Sequence, residues 1–353
     1  MKKYLVHKKT KSIYSALNGK ILYFSYNDFI DKIVKGNCCF ICGVEPNSKP
    51  FNYEHIIPKW ILKNYGTENS FMILPNQTKI KNTKYTVPCC KDCNSELGEL
   101  FEIPLSKLLQ KNYNDICKDL ENDETLYLKI YHWAALIFFK THLKDTLLLK
   151  DRDQRKSSGA IADDFCWHGL FGVHNFIRHH HTGAKVMHNT YGTVLIFQCL
   201  IEQPYETFDY LDNLNNQIIM IQVGKVVIFF VLNDCRACIS FYRTFLSRIT
   251  GSLTSVQIRE LFARLRFINE NLKYRPRFYN SFKYSGHRIC VKRPKKLEIY
   301  KGEEEKVSLF KLMRFYIGDI MPNSLQNRDK LLKDLEEGKA QYIFDENFNF
   351  FQH

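Results

Sequence analysis

The 353-residue sequence predicts an α+β protein in three parts. Residues 1–120 form a small cysteine-stapled strand–strand–helix module. Residues 121–160 are a helical connector and linker, and residues 161–353 a β-rich α+β domain. Three observations predict this. Two Cys-x-x-Cys pairs, at 39–42 and 90–93, enclose two stretches of strand character and lead into a helix start. Residues 126–149 are strongly apolar over a helical length. From residue 193 onward, short β-branched runs alternate with turn residues.

Residues 1–24 are basic and mixed, an arm or a short hairpin around Asn18-Gly19. Ser25 to Lys35 reads as a helix. Ser25 or Asn27 caps it, Phe29, Ile30, Ile33 and Val34 make its apolar stripe, and Gly36 ends it. It leads into Cys39 and Cys42. With Cys90 and Cys93 these read as a four-thiolate zinc site, because a two-residue spacer lets both sulfurs of a tight turn face one tetrahedral ion. The plainer reading is buried free thiols that pack as small hydrophobes. Cys38 and Cys89 would need three-residue spacers and are left out of the set.

Inside the frame, Phe51 to Pro58 reads as a strand that Pro58 ends. Successive strand residues face opposite ways, so Glu54 and His55 can serve one site only at a bend or strand end. Lys84 to Pro88 reads as a second strand entering the second knuckle. From Asp92 the chain reads as a helix start with acids near its N-terminus.

Cys-x-x-Cys, then Glu54-His55-Ile56-Ile57-Pro58, then Cys-x-x-Cys-Asn94 resembles the zinc-containing branch of the HNH endonucleases, which have the ββα-metal fold. The resemblance covers residues 36–105. It implies that His55 is the general base that takes a proton from the attacking water. It implies that Glu54 and Asn94 ligate a catalytic divalent ion, Mg²⁺ or another, and that the four cysteines hold a structural Zn²⁺. Two departures stand out. Glu54 occupies a position where Asp is common, and the segment between His55 and Asn94 is longer than in compact versions. The middle Asn, which orients the imidazole, is therefore open: Asn82 is the choice, with Asn76 and Asn69 as alternatives.

The chemistry is sound physically. A phosphodiester resists attack because it is already anionic. One hard cation neutralises developing charge while a positioned base activates water. Mg²⁺ prefers oxygen ligands and keeps several waters, so one carboxylate and one amide are a sufficient protein share. An imidazole near its ordinary pKa is a competent base at neutral pH. The plainer reading of His55 is a structural histidine or a further zinc ligand.

The formal charge of +14 favours a polyanionic partner, nucleic acid being the simplest; a generally Lys-rich composition without a dedicated patch is the bland account. The basic N-terminus lacks an apolar core, so a secretory signal is not expected. The apolar runs near 134–139 and 226–232 are too short to span a bilayer. Twelve cysteines without a signal argue for reduced thiols and metal in the cytoplasm.

Beyond the second knuckle, Pro104 kinks or restarts the helix, and Leu105, Leu108 and Leu109 continue its stripe. Tyr127 to Leu143 reads as one long buried helix, in which His132 and His142 are packed rather than ligating. Residues 151–159 are charged and then small, a linker or exposed loop. Between Cys166 and Tyr242 the pattern turns to strands, notably 193–201, a hairpin of 217–222 with 225–232, and 237–242. Val256 to Leu272 and Asn323 to Glu337 read as helices, and the aromatic tail 344–353 docks on the body or a partner.

The histidines at 168, 174, 179, 180, 181 and 188, with Cys166, fit no ligand spacing and read as an exposed polar loop. Cys235-Arg236-Ala237-Cys238 lacks a second pair to complete a metal site. Residues 259–301 hold thirteen basic residues and three acids, interleaved with aromatics. Arg275, Arg277, Lys283, Arg288, Lys292, Arg293, Lys295 and Lys296 are the candidates for nucleic-acid contact; a solvated helix face with a Lys-rich loop is the alternative.

The resulting expectation is a cytoplasmic, metal-dependent endonuclease acting on nucleic acid, double-stranded DNA first. The later domain would supply recognition, regulation by a partner protein, or self-association. By analogy alone, HNH domains with appended domains suggest restriction or anti-phage defence. The rival is a non-catalytic zinc module that binds nucleic acid or protein and has no use for His55.

Overall fold

The computed structural model describes all residues except 1–2, 75, 154, 157–158, 189, 203–206 and 353. The chain divides into two units, each discontinuous in sequence. The first comprises 1–110, 123–190 and 278–291; the second comprises 111–122, 191–277 and 292–353. This differs from the expected three-part division at 120 and 160. The stretch expected to connect domains is the core of the first unit, because the middle of its helix is apolar all round and has to be enclosed.

In chain order, β1 (Tyr4–Val6), β2 (Ile13–Ser15) and β3 (Ile21–Tyr23) form an antiparallel sheet, with Gly19 in the left-handed region at φ +69° in the second turn. Ser25 Oγ accepts from the Asp28 amide and starts α1 (Tyr26–Asp28), which runs on as a π-helical segment, Phe29–Val34. After the first knuckle come β4 (Phe51–His55), α2 (Lys59–Asn64) and the hairpin of β5 (Phe71–Ile73) with β6 (Lys79–Lys81). Then β7 (Thr86–Cys90) returns antiparallel to β4, with Glu54 opposite Val87 and His55 opposite Thr86. α3 (Lys91–Leu97) starts directly from β7 and packs against both strands. It continues through Gly98–Glu102 as π-helix into α4 (Ile103–Leu109), where Pro104, lacking an N–H, interrupts the ladder of one continuous helical run.

α5 (Tyr113–Asn122) belongs to the second unit. α6 (Thr125–Lys144) is the centre of the first: Trp133, Phe138 and Phe139 are fully buried on it. The loop 151–159 follows within the same unit; Gln154, Ser157 and Ser158 of it lie outside the described residues. α7 (Trp167–Ile177) and α8 (His179–Thr182) then occupy a stretch expected to hold strands and an exposed loop. Trp167, Leu170, Val173, His174 and Ile177 are all buried at three- and four-residue spacing, a helical period that the run of polar histidines hides. β8 (Lys185–Val186) ends this part.

In the second unit β9 (Thr193–Gln198), β10 (Phe208–Asn213), β11 (Ile218–Val223) and β12 (Val226–Val231) form one antiparallel sheet in the order β10-β11-β12-β9, as the hairpin expectation required. The expected strand at 237–242 is instead α9 (Ala237–Ser247). Asp234, 2% exposed, accepts from the Arg236 and Cys238 amides, and positive φ at Cys235 and Arg236 turns the chain into the helix. α10 (Ser255–Asn271), capped by a reciprocal Thr254–Gln257 pair, brings Leu261, Phe262 and Leu265 into a core with Ile218, Met220 and Phe229.

β13 (Arg277–Lys283) and β14 (Gly286–Lys292) follow, with β14 parallel to β8. α11 (Leu309–Ile320) and α12 (Arg328–Glu336) complete the helices. The tail docks on the second unit: Phe344 is buried, and Gln257 donates to the Tyr342 and Phe351 carbonyls. The class is α+β, but with five helices beside one four-stranded sheet among the described residues, the second unit is less β-rich than expected. No helix among the described residues is long and apolar enough to cross a membrane.

Three histidines meet inside the first unit. His132 on α6 stacks on Phe101 at 3.8 Å, with the rings of His179 and His180 at 4.8 and 5.3 Å. Burial holds His132 well below its ordinary pKa and lowers His179 to about 4 and His180 to about 3. The fold keeps them neutral, whereas the unfolded chain takes up protons below about pH 6.5. Stability is therefore complete above that pH and is lost progressively as pH falls towards the folded values. The melting midpoint should drop between pH 7 and pH 5, His179 and His180 each contributing about 1–2 kcal/mol by pH 5. Calorimetry of His180→Asn across that range should show a shallower fall than the parent chain.

Candidate metal centre and candidate active site

The two knuckles come together as the spacing required. The Sγ atoms of Cys39, Cys42, Cys90 and Cys93 all lie within 4.8 Å of one another, with Cys42 and Cys90 3.7 Å apart. Sulfurs bonded at about 2.3 Å to one tetrahedral ion sit about 3.8 Å apart, so the donor set fits such an ion. Cys89 touches Cys39 at 3.7 Å but falls outside the mutually close set, and Cys38 turns to the Gly36 carbonyl. Hydrogen bonds from its neighbours pull the Cys39 thiol down, and the same bonds push Cys90 and Cys93 up. One thiolate thus opposes the next, and a cation is needed to hold four.

Two side chains of the α7 region fix the first knuckle from behind. His174 Nε2 donates to the Phe40 carbonyl at 2.7 Å, and Arg178 Nε donates to the Ile41 carbonyl. Both residues are fully buried, and the Arg178 guanidinium also lies 4.4 Å over the Phe24 ring. Phe40 and Ile41 are the two spacer residues between Cys39 and Cys42, so these bonds hold the turn that aims the sulfurs. Neither partner was expected from the sequence: they lie 134 and 137 residues away along the chain. A further trio, Cys93, Glu96 and His181, comes within 4.8 Å but shares its sulfur with the four-cysteine set.

His55 is the last residue of β4, and Pro58 precedes α2, so the strand ends where the Glu54–His55 pair needed it to. The His55 ring is half-buried. Desolvation lowers its pKa, with Lys59 adding to the effect and Glu54 and the Thr83 backbone opposing it. The imidazole is therefore held neutral at pH 7, the form a base requires.

Asn82 does not hold the ring. Its side-chain amide donates to the Thr67 carbonyl at 3.0 Å, and its own Oδ1 is buried without a partner. Asn76 is spent on Thr78 and on the Leu149 carbonyl, and Asn69 is exposed.

Glu54 is buried, and its Oε1 accepts from Lys140 Nζ at 2.7 Å. The same ammonium donates to the His55 carbonyl at 2.6 Å. Lys140 lies on α6 and is 2% exposed, so helix and strand end are joined by a desolvated ion pair. The sequence carried a signal for it: a lysine inside the run Ala134 to Phe139 and Thr141 to Leu143 has to find a carboxylate. Glu102 lies near both groups, and burial pushes its carboxyl up to about 7 against the pull of Lys140. Glu54 has no second partner among the described residues, so its other oxygen is uncommitted. Asn94, half-buried on α3, has no side-chain hydrogen bond among the described residues. Each of the two thus keeps an oxygen without a hydrogen-bond partner among the described residues.

The basic tract divides. Lys283 and Arg288 belong to the first unit, Arg288 half-buried on β14 opposite Lys185. Arg275 is committed to Asn269, Arg293 to the Cys235 carbonyl, and Lys296 lies 3.8 Å from Glu298; Arg277, Lys292 and Lys295 are exposed. Phe282 packs on Tyr4, Tyr23 and His287 and is structural. Cys235 and Cys238 are buried with thiols pushed up by burial, and neither joins a metal-capable group among the described residues.

Lys140→Met should cost about 3–5 kcal/mol of stability in denaturant unfolding, because it leaves the Glu54 carboxylate buried and unpaired. Adding Glu54→Gln should recover most of that loss. Compared with family models, with curated proteins and with solved structures, the chain matches none.

Proposed function

We propose that this chain is a metal-dependent endonuclease that hydrolyses nucleic-acid phosphodiesters, DNA first, with His55 as general base. The observation that carries this reading is a half-buried imidazole held neutral at a strand end, beside a carboxylate with one oxygen unspent. The motif of residues 36–105, which resembles the HNH endonucleases, agrees with it. Zn²⁺ is the ion proposed for Cys39, Cys42, Cys90 and Cys93, since four thiolates in tetrahedral reach are its ordinary structural ligands.

Glu54 and the Asn94 amide would hold the catalytic divalent ion. When bound, such an ion supplies neutralisation of the charge that grows on the phosphate and the leaving oxygen. His55 accepts the proton of the attacking water. Lys140 fixes Glu54 and the His55 backbone together, so that ligand and base move as one body.

One observation favours the rival zinc module: Glu54 already has a cation in Lys140, as a purely structural carboxylate would. Plasmid cleavage separates the two. Wild type with Mg²⁺ should relax and linearise supercoiled DNA, EDTA should abolish this, and His55→Ala should lose at least about a hundredfold in rate. Binding without cleavage by wild type would favour the module.

The sign of the His55 shift adds a pH test. A base whose pKa is lowered stays neutral further into acid, so kcat/KM should hold as pH falls through about 6.5 and decline only below it. Metal analysis should find one zinc per chain, and Cys90→Ser should lose it and lower the melting midpoint.

A further inference from the structure

Lys273, Tyr274, Arg275, Arg277, Lys292 and Arg293 line one groove of about 520 Å³ in the second unit. Five of these six are cations, and no carboxylate is among the lining residues. Lys273 has an acidic partner, Glu304 at 3.4 Å, and that partly exposed pair is worth little. Five like charges around one concavity repel one another, and an anion entering it relieves the repulsion.

The groove is more than a solvated lysine run, because the fold fixes two of its guanidiniums. Arg275 Nη1 donates to Asn269 Oδ1 at 2.7 Å, and its Nη2 donates to the Asn269 carbonyl. Asn269 is fully buried and is itself held by Asn216 and Asn233. Arg293 Nη2 donates to the Cys235 carbonyl at 3.1 Å, in the turn that Asp234 builds. A guanidinium has five N–H groups, so each keeps donors for a ligand. Arg277 and Lys292 stand at the ends of β13 and β14, exposed and without a side-chain partner among the described residues. Tyr274 is 50% exposed in the same groove.

Fixed guanidiniums suit phosphate oxygens, and free lysine and arginine tips suit the next phosphates along. A half-exposed tyrosine face stacks on a base that is not already stacked in a duplex. We infer that this groove binds a single-stranded stretch of nucleic acid, through consecutive phosphates and one base or sugar stacked on Tyr274. The choice of nucleic acid over another polyanion rests on the proposed function, but none of the groove residues takes part in the chemistry at His55.

The test is anisotropy of a fluorescein-labelled oligothymidylate with the full chain in EDTA, at several salt concentrations. Arg277→Ala with Lys292→Ala should lower the slope of log Kd against log salt by about 1.4, since each phosphate no longer neutralised removes about 0.7. Tyr274→Ala should weaken binding about tenfold with the slope unchanged. Wild-type binding by both variants overturns the groove. Tighter binding of duplex, indifferent to Tyr274→Ala, overturns the single-strand assignment. Competition by thymidine monophosphate at the affinity of the oligonucleotide would make it a nucleotide pocket and overturn the strand reading. Plasmid cleavage is read on the same proteins. Groove binding without any cleavage sinks only the active-site reading, and cleavage with unaltered binding in the groove variants sinks only this one.

Discussion

A single ammonium group ties the first unit together. Lys140 is a buried cation within the apolar stretch of α6, among Trp, Phe, Leu, Ile and Ala side chains, and it reaches one carboxylate oxygen and one backbone carbonyl on adjacent residues. Removing an ammonium from water is expensive, and only a close, fully bonded partner set offsets it. The position of α6 against the end of β4 is therefore fixed by charge as well as by packing. A helix buried on all sides could slide or rotate with little change in apolar contact; one carrying an obligatory ion pair has only one register.

The cysteine frame has the opposite sign. Four thiolates around a divalent ion would leave a net negative charge, and the fold places the buried Arg178 beside the four cysteines. Its Nε bonds the Ile41 carbonyl while His174 bonds the Phe40 carbonyl, so the spacer residues of one knuckle are held by the same stretch of chain that supplies the counter-charge. Glu54 and the four-cysteine cluster are thus each faced by a cation far along the sequence.

Much of the local architecture was legible. The knuckles, the β4–β7 pairing, the start of α3, the Pro58 strand end, α6, α10 and the β11–β12 hairpin follow from spacing, caps and apolar runs. What failed was set by tertiary context. The 166–182 stretch is polar by composition but helical by which positions are buried. The 237–242 stretch has strand character, but a buried aspartate and two left-handed residues turn it into a helix. At the site, the meeting of the four cysteines was readable because their spacing is a motif. His174 and Arg178 were not, because nothing local marks which residue will face a knuckle.

The reach of those bonds has a consequence for how the protein is made. Glu54 is completed by a residue 86 positions later, and the first knuckle by one 137 positions later. A chain leaving the ribosome can present both cysteine pairs and the Glu-His pair well before α6 and α7 exist. Until then the motif lacks its buried cation and the two bonds that shape its first turn. Assembly is therefore delayed by high contact order, and the nascent protein passes through a stage with the motif synthesised but unsupported. The stretch that carries the family resemblance is for the same reason not a free-standing module: excised at residue 105, it would leave behind Lys140, His174 and Arg178, the side chains that hold it in shape from outside.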